Sequence, residues 1–311
     1  MSDDPPACPA TDRFIDVEDG FRVWTRSLGG DAADAAPPLL VLHGGPGVPH
    51  DYLENLEALA SPRQKVVFYD QLGCGRSDRP DAPARWQLPR FVAEIDRVRD
   101  GLGLDRVVLL GQSWGGMLAI EYLLGRPSGV AGLILSNSTA SAPLFAAEAR
   151  RLLTLLPAEI QETVRRCEVE QAFESADYQA AMMAFYVRHV IRVPMPAFVA
   201  RSFAAVGQPY FVMWGKSEFT VTGNLRTWDR TGRLGEIALP VLLISGEHDE
   251  STPLVNQRLK DGLPDARWHL LQGCSHLSHV EAPETYFGLV KGFLDSLLPH
   301  RHVSSRKVSR P

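Results

Sequence analysis

The chain has 311 residues, a formal net charge of −5, and a composition that is 45% hydrophobic and 22% charged. That length suits one large α/β core with an insertion, or two domains, and the missing basic excess excludes the phosphate neutralisation that nucleic-acid binding requires. Four scattered cysteines (Cys8, Cys74, Cys167, Cys274) lack the paired spacing of a zinc site or disulfide framework, which points to a reducing compartment.

Residues 1–11 are acidic and Pro-rich, without the basic start and apolar stretch of a signal peptide. No run of about 18 apolar residues marks a membrane span, so a cytoplasmic protein with no membrane partner is expected. Residues 14–17 and 21–25, joined at Asp19-Gly20, read as a hairpin with the turn favoured between twisted strands. A loop rich in Gly, Ala, Asp and Pro follows at 29–38. Short apolar runs then recur at 39–42, 66–69, 107–110, 131–135, 241–244 and 268–271, separated by helical stretches. Nearly continuous apolar strands imply burial on both faces, hence an α/β fold with a mostly parallel central sheet and helices on both faces. Between the fourth and fifth runs, residues 140–233 carry helical stretches at 145–155 and 178–190 and few strand signals. They are expected to form a helical cap over the strand ends, where open α/β sheets place their ligands. The expected core is therefore 12–139 with 234–298. The termini, 1–11 and 299–311, are expected to be disordered, the latter with Arg301, Arg306, Lys307 and Arg310 among serines.

Four motifs in fixed order carry the chemistry: His43-Gly44-Gly45-Pro46-Gly47, Gly111-Gln112-Ser113-Trp114-Gly115, Asp249 past one apolar run and His276 past another. At about 7% for each fixed residue, Gly-x-Ser-x-Gly arises by chance in roughly one chain in ten of this length, so context carries the weight. The run 107–110 enters the motif as a strand and 117–124 leaves it as a helix, the strand-elbow-helix of an α/β-hydrolase. Ser113 needs a base to take its proton. His276 is expected in that role, with His279 as competitor. Asp249 is expected to fix the histidine's tautomer, with Glu247 and Glu250 competing. Glycines after the strand 39–42 let backbone N–H groups approach a ligand, so Gly45 and Trp114 N–H are the expected oxyanion donors, with Gly44 beside the substrate. No metal or cofactor is called for.

The combination of these motifs with Asp70-Gln71-Leu72-Gly73-Cys74-Gly75-Arg76-Ser77 resembles the proline iminopeptidases. The segment from Met213 to Gly223 is similar to the substrate-binding segment of the branch that includes tricorn-interacting aminopeptidases and L-amino acid amidases, although Lys216 stands where that family often has proline. The likeness covers about residues 14–298. It implies that Glu218 and Glu250 hold the α-ammonium of a small peptide or amino acid amide, and that an N-terminal residue such as proline is released through an acyl-enzyme. A buried ammonium does need carboxylate partners. Trp214, Phe219 and Tyr210 either wall the side-chain pocket or pack the cap on the core. An esterase or lactonase on the same triad, and a non-catalytic ligand sensor, remain alternatives; the oligomeric state is not legible.

Overall fold

The computed structural model describes residues 8–298. Eight strands form one sheet: β1 (Ala10–Glu18), β2 (Phe21–Leu28), β3 (Leu39–Leu42), β4 (Val66–Tyr69), β5 (Val107–Gln112), β6 (Val130–Ser136), β7 (Val241–Gly246) and β8 (Ala266–Leu271). Their spatial order is β1-β2-β4-β3-β5-β6-β7-β8. β1, β2 and β4 pair antiparallel, and every pair from β4 onward is parallel.

Alternation within the apolar runs splits the core into two layers, because successive side chains of a strand leave on opposite faces. Leu40, Leu42, Leu109, Leu133, Leu135 and Leu243 face one layer. It is closed by helices α1 (Leu88–Leu102), α2 (Trp114–Leu124) and α8 (Pro253–Gly262) through Phe91, Ile95, Leu118 and Leu259. Leu39, Val41, Phe68, Leu110, Ile134 and Ile244 face the other. There a 3-10 helix (His50–Leu59) and α10 (Pro283–Ser296) supply Leu53, Leu56, Tyr286 and Val290.

Two expectations need correction. Residues Ala10 and Thr11, expected to be disordered, belong to β1 and pair with Leu28 and Ser27. The backbone ladder of β2 satisfies their amides whatever their side chains. Cys8 and Pro9 precede β1 without regular structure, and the remainder of the expected disordered ends, 1–7 and 299–311, lies outside the described residues. The run 268–271 was expected to be buried on both faces, but β8 is an edge strand and alternates between covered and exposed positions. The hairpin turn is as read, with Asp19 and Gly20 both at positive φ.

Five α-helices lie between β6 and β7: α3 (Ala142–Leu153), α4 (Ala158–Glu170), α5 (Ala176–His189), α6 (Ala197–Phe203) and α7 (Gln208–Met213). The sequence signalled α3 and α5. It was silent on α4, where Val164 and Cys167 alone are buried, and on α6 and α7, which are too short for a period to register. The insertion is tied to the rest by Arg201 on Asp51 (2.8 Å), Ser202 Oγ on the Pro49 carbonyl (2.6 Å) and Gly207 N–H on the Gly47 carbonyl (2.8 Å). A short helix α9 (Ser278–Glu281) precedes α10.

Candidate active site

The register brings Leu42 opposite Gly111, and Ser136 opposite both Gln112 and Ile244, so the loops leaving β3, β5, β6 and β7 open at one edge of the sheet. Ser113 occupies the turn between β5 and α2 at φ 54°, ψ −123°, a region non-glycine residues seldom adopt. Its flanking glycines have a steric reason. A Cβ at Gly111 would lie 2.3 Å from the Gly115 carbonyl oxygen, and one at Gly115 would lie 1.9 Å from that of Leu42. The elbow is fastened by Ser113 N–H on the Ser136 carbonyl (3.0 Å) and by Ser138 Oγ on the Ser113 carbonyl (2.7 Å).

His276 lies in the loop after β8. Its Nδ1 is 2.7 Å from Asp249 Oδ1, and the same oxygen accepts the Ser251 N–H at 2.8 Å. The other oxygen, Oδ2, accepts from Asn137 Nδ2 at 2.7 Å. Asn137 sits one residue past β6 at φ 50° and also donates to the Ser275 carbonyl, so one amide ties the acid to the histidine loop. Burial opposes a charge on His276, but Asp249, Glu250 and Glu218 outweigh it and raise its pKa to about 9.

Two of the competitors, His279 and Glu247, fall elsewhere, whereas Glu250 stands on the Nε2 side of His276. His279 is buried with Nε2 on the Tyr52 carbonyl (2.9 Å), and burial depresses its pKa to about 4. Glu247 is partly exposed and accepts the Gly273 N–H.

On the opposite side Gly45 adopts φ 111°, and a Cβ there would meet the Gly47 and Val48 nitrogens at 2.5 and 2.6 Å. Trp114 opens α2, so its N–H has no acceptor within the helix. Both residues border the cavity beside Ser113. The Gly44 N–H, by contrast, is spent on Tyr52 Oη (2.7 Å), which donates to Gln112 Oε1 (2.6 Å), while Gln112 Nε2 donates to the His276 carbonyl (3.2 Å). This chain couples the glycine loop, the elbow and the histidine loop. Sequence reading missed the roles of Tyr52, Gln112 and Asn137. Adjacency to the serine and to the end of β6 was the available signal for the last two, and Tyr52 had none.

Two cavities meet at Ser113. A small one of about 20 Å³ is bordered by Met117, Thr139, Phe145, Trp214 and Glu218. A cleft of about 510 Å³ holds Ser113, His276, Glu218, Glu250, Tyr186 and Tyr210. Glu218 accepts from Tyr210 Oη (2.8 Å) and Tyr186 Oη (3.4 Å). Burial raises its pKa, against the tyrosine bonds and His276. Burial and then the neighbouring Glu218 push Glu250 well above the carboxylate range. Its Oε2 is buried without a partner, and Oε1 stands 3.6 Å from His276 Nε2. Trp214 and Tyr210 thus border cavities. Phe219 does not: it is fully buried edge-on to Phe185 (centroids 4.9 Å apart), and its expected place in the pocket wall is corrected to packing inside the insertion.

One cluster has metal-ligand composition, His43, Asp70 and Cys74. Its ligand atoms are already engaged. His43 Nε2 accepts the Gln71 N–H (2.9 Å), and Asp70 accepts from the His50 and Arg76 N–H groups and from His50 Nδ1. Burial pushes the Cys74 thiol far above its ordinary pKa, which disfavours the thiolate a metal needs.

A family model described as the alpha/beta hydrolase fold matches residues 37–283. The proline iminopeptidase of Heyndrickxia coagulans is 40% identical over 293 residues, 92% of this chain and 99% of that protein. That of Lactobacillus delbrueckii subsp. bulgaricus is 42% identical over 273 residues, 86% and 92% of the two chains. The crystal structure of the Mycobacterium smegmatis proline iminopeptidase is 40% identical, covers 92% of this chain and 98% of its own, and superposes with a TM-score of 0.84. The crystal structure of VinJ is 36% identical, covers 93% and 99%, and gives 0.89. The chain belongs to the proline iminopeptidase family within the α/β-hydrolase fold.

Proposed function

We propose that this protein is a serine aminopeptidase that releases an N-terminal residue, proline foremost, from short peptides or amino acid amides. Ser113 attacks the carbonyl carbon of the first residue while His276 takes its proton. The oxyanion is received by the Gly45 and Trp114 N–H groups, a contribution worth on the order of 3 kcal/mol per donor in comparable sites. His276 then protonates the departing amine. Water attacks the acyl-enzyme with His276 as base again, and Asp249 holds the imidazole tautomer throughout. No step calls on a cofactor or metal.

The observation that carries this reading is the pair of carboxylates, Glu218 from the insertion and Glu250 beside Asp249, facing the same cleft as Ser113 and His276. Buried carboxylates without a counter-charge are costly, and a substrate's α-ammonium supplies that charge next to the scissile carbonyl. A neutral ester would bring no such charge to the two carboxyl groups, which disfavours the esterase reading. Residues 140–233 then act as the cap that completes the site, since Glu218 comes from them. The four free thiols fit a cytoplasmic setting, and among the described residues no helix is long and apolar enough to cross a membrane.

Prolyl and alanyl anilides, each with a free and an acetylated amine, test the reading. Removing one partner of a buried charge pair costs about 2 to 5 kcal/mol, so acetylation should lower kcat/KM at least about thirtyfold. Glu218→Gln and Glu250→Gln should weaken the free-amine substrates far more than the acetylated ones. Equal turnover of both forms would refute the aminopeptidase assignment and leave a serine hydrolase.

A further inference from the structure

The base does not face the nucleophile alone. His276 Nε2, the nitrogen that must receive the Ser113 proton, stands 3.6 Å from Glu250 Oε1, and among the described residues no hydrogen bond joins it to the Ser113 hydroxyl. The groups around this imidazole come from five segments. Asp249 and Glu250 follow β7, and Glu218 follows α7. His189 of α5 accepts the His276 N–H with its carbonyl, while its own ring is held by the His248 carbonyl. His279, in α9 just beyond the His276 loop, is held by the Tyr52 carbonyl, and Gln112 of β5 donates to the His276 carbonyl. The charged groups of this set are the three carboxylates, and Asp249 is already committed to Nδ1.

We propose that Glu250 and His276 share one proton in the free site and that the substrate's ammonium displaces it. This rests on the amine site proposed above. The cation takes over Glu250 and Glu218, the shared proton leaves to solvent, and Nε2 becomes free to accept the Ser113 hydroxyl proton. The amine is then an activator of the base as well as an anchor. Because the ammonium belongs to the acyl half, it stays in place through the acyl-enzyme stage and keeps the base free until the amino acid departs. An amine-free ester meets a base that is still protonated, so selectivity for amines acts on the chemical step and not on fit alone. The raised pKa of His276 agrees, since Glu250 is among the charges that favour its protonated form in the free site.

The test uses p-nitrophenyl acetate, which has no amine, with pyrrolidinium chloride added at pH 7 and potassium chloride as the ionic-strength control. Pyrrolidinium should raise the wild-type ester kcat/KM saturably by about tenfold or more, by restoring the unprotonated base. Glu250→Gln should be faster than wild type without the cation and unresponsive to it. Calorimetric binding of pyrrolidinium to the wild type, in two buffers of different ionisation enthalpy, should report release of about one proton. If pyrrolidinium competes with prolyl anilide yet neither accelerates the ester nor releases a proton, the gating is overturned while the amine site stands. If it neither binds nor competes, both are overturned. Should Glu250→Gln fail to fold, the wild-type ester and calorimetric measurements decide.

Discussion

Asn137 and Asp249 are 112 residues apart in the chain, yet Asn137 Nδ2 donates to Asp249 Oδ2 at 2.7 Å. The bond fixes the carboxylate from behind, so that Oδ1 is presented to His276 Nδ1. Asn137→Gly keeps the positive φ at this position but removes the amide. A hydrogen bond to a charged group is worth about 1.5 to 3 kcal/mol, so kcat should fall about 10- to 100-fold with KM little changed. Unchanged kcat would show that Asp249 is held by Ser251 alone.

Removing either candidate base separates two histidines three residues apart. His276→Ala should lower kcat by about 10⁴-fold or more, as loss of a triad member does in other serine hydrolases. His279→Ala should lose stability and keep its turnover per folded molecule, because its ring is bonded to the Tyr52 carbonyl and does not border the cleft. Kinetics normalised to the folded fraction would expose a reversed ranking.

The same buried His279, with His43, sets an acid limb of stability. Burial lowers both pKa values to about 4, below the ordinary 6.5. Between pH 6.5 and about 4 the unfolded chain binds these protons and the native state does not. Their contribution is therefore complete above pH 6.5 and is lost as pH falls, at about 1.4 kcal/mol per pH unit for each. His279→Gln should flatten the fall in unfolding free energy over that range by this slope, measured by urea titration. An unaltered slope would mean that His279 is not neutral in the native state.

Gly115→Ala places a methyl group 1.9 Å from the Leu42 carbonyl oxygen, which is strand backbone and does not yield. A loss of about 3 kcal/mol or more is expected, measured as a lowered denaturation midpoint. Gly232→Ala, where a Cβ meets nothing, is the neutral control.

Chelation should leave activity intact, since His43, Asp70 and Cys74 have their ligand atoms bonded within the protein. Loss of turnover in EDTA with recovery on zinc would refute this.

Much of the molecule was legible in the chain because two local signals are written there directly. Strands buried on both faces read as unbroken apolar runs, which located β3 to β7. Tight turns demand glycine, which located the elbow at Ser113 and the loop at Gly45. The edge strand β8 was read as buried because local composition carries no record of what lies beyond it. The order of the motifs also singled out Ser113, Asp249 and His276 as the expected triad, and the fold places Asp249 on His276. Tertiary structure decided the rest: that Phe219 is core while Trp214 and Tyr210 border cavities, that His279 is bonded away, and that Gly44 has spent its N–H on Tyr52. It also decided that Asn137 braces Asp249 and that Glu250 stands beside His276 Nε2. Each of these depends on which surface a side chain meets across long sequence separations, and proximity of that kind is set by packing, not by neighbours in the chain.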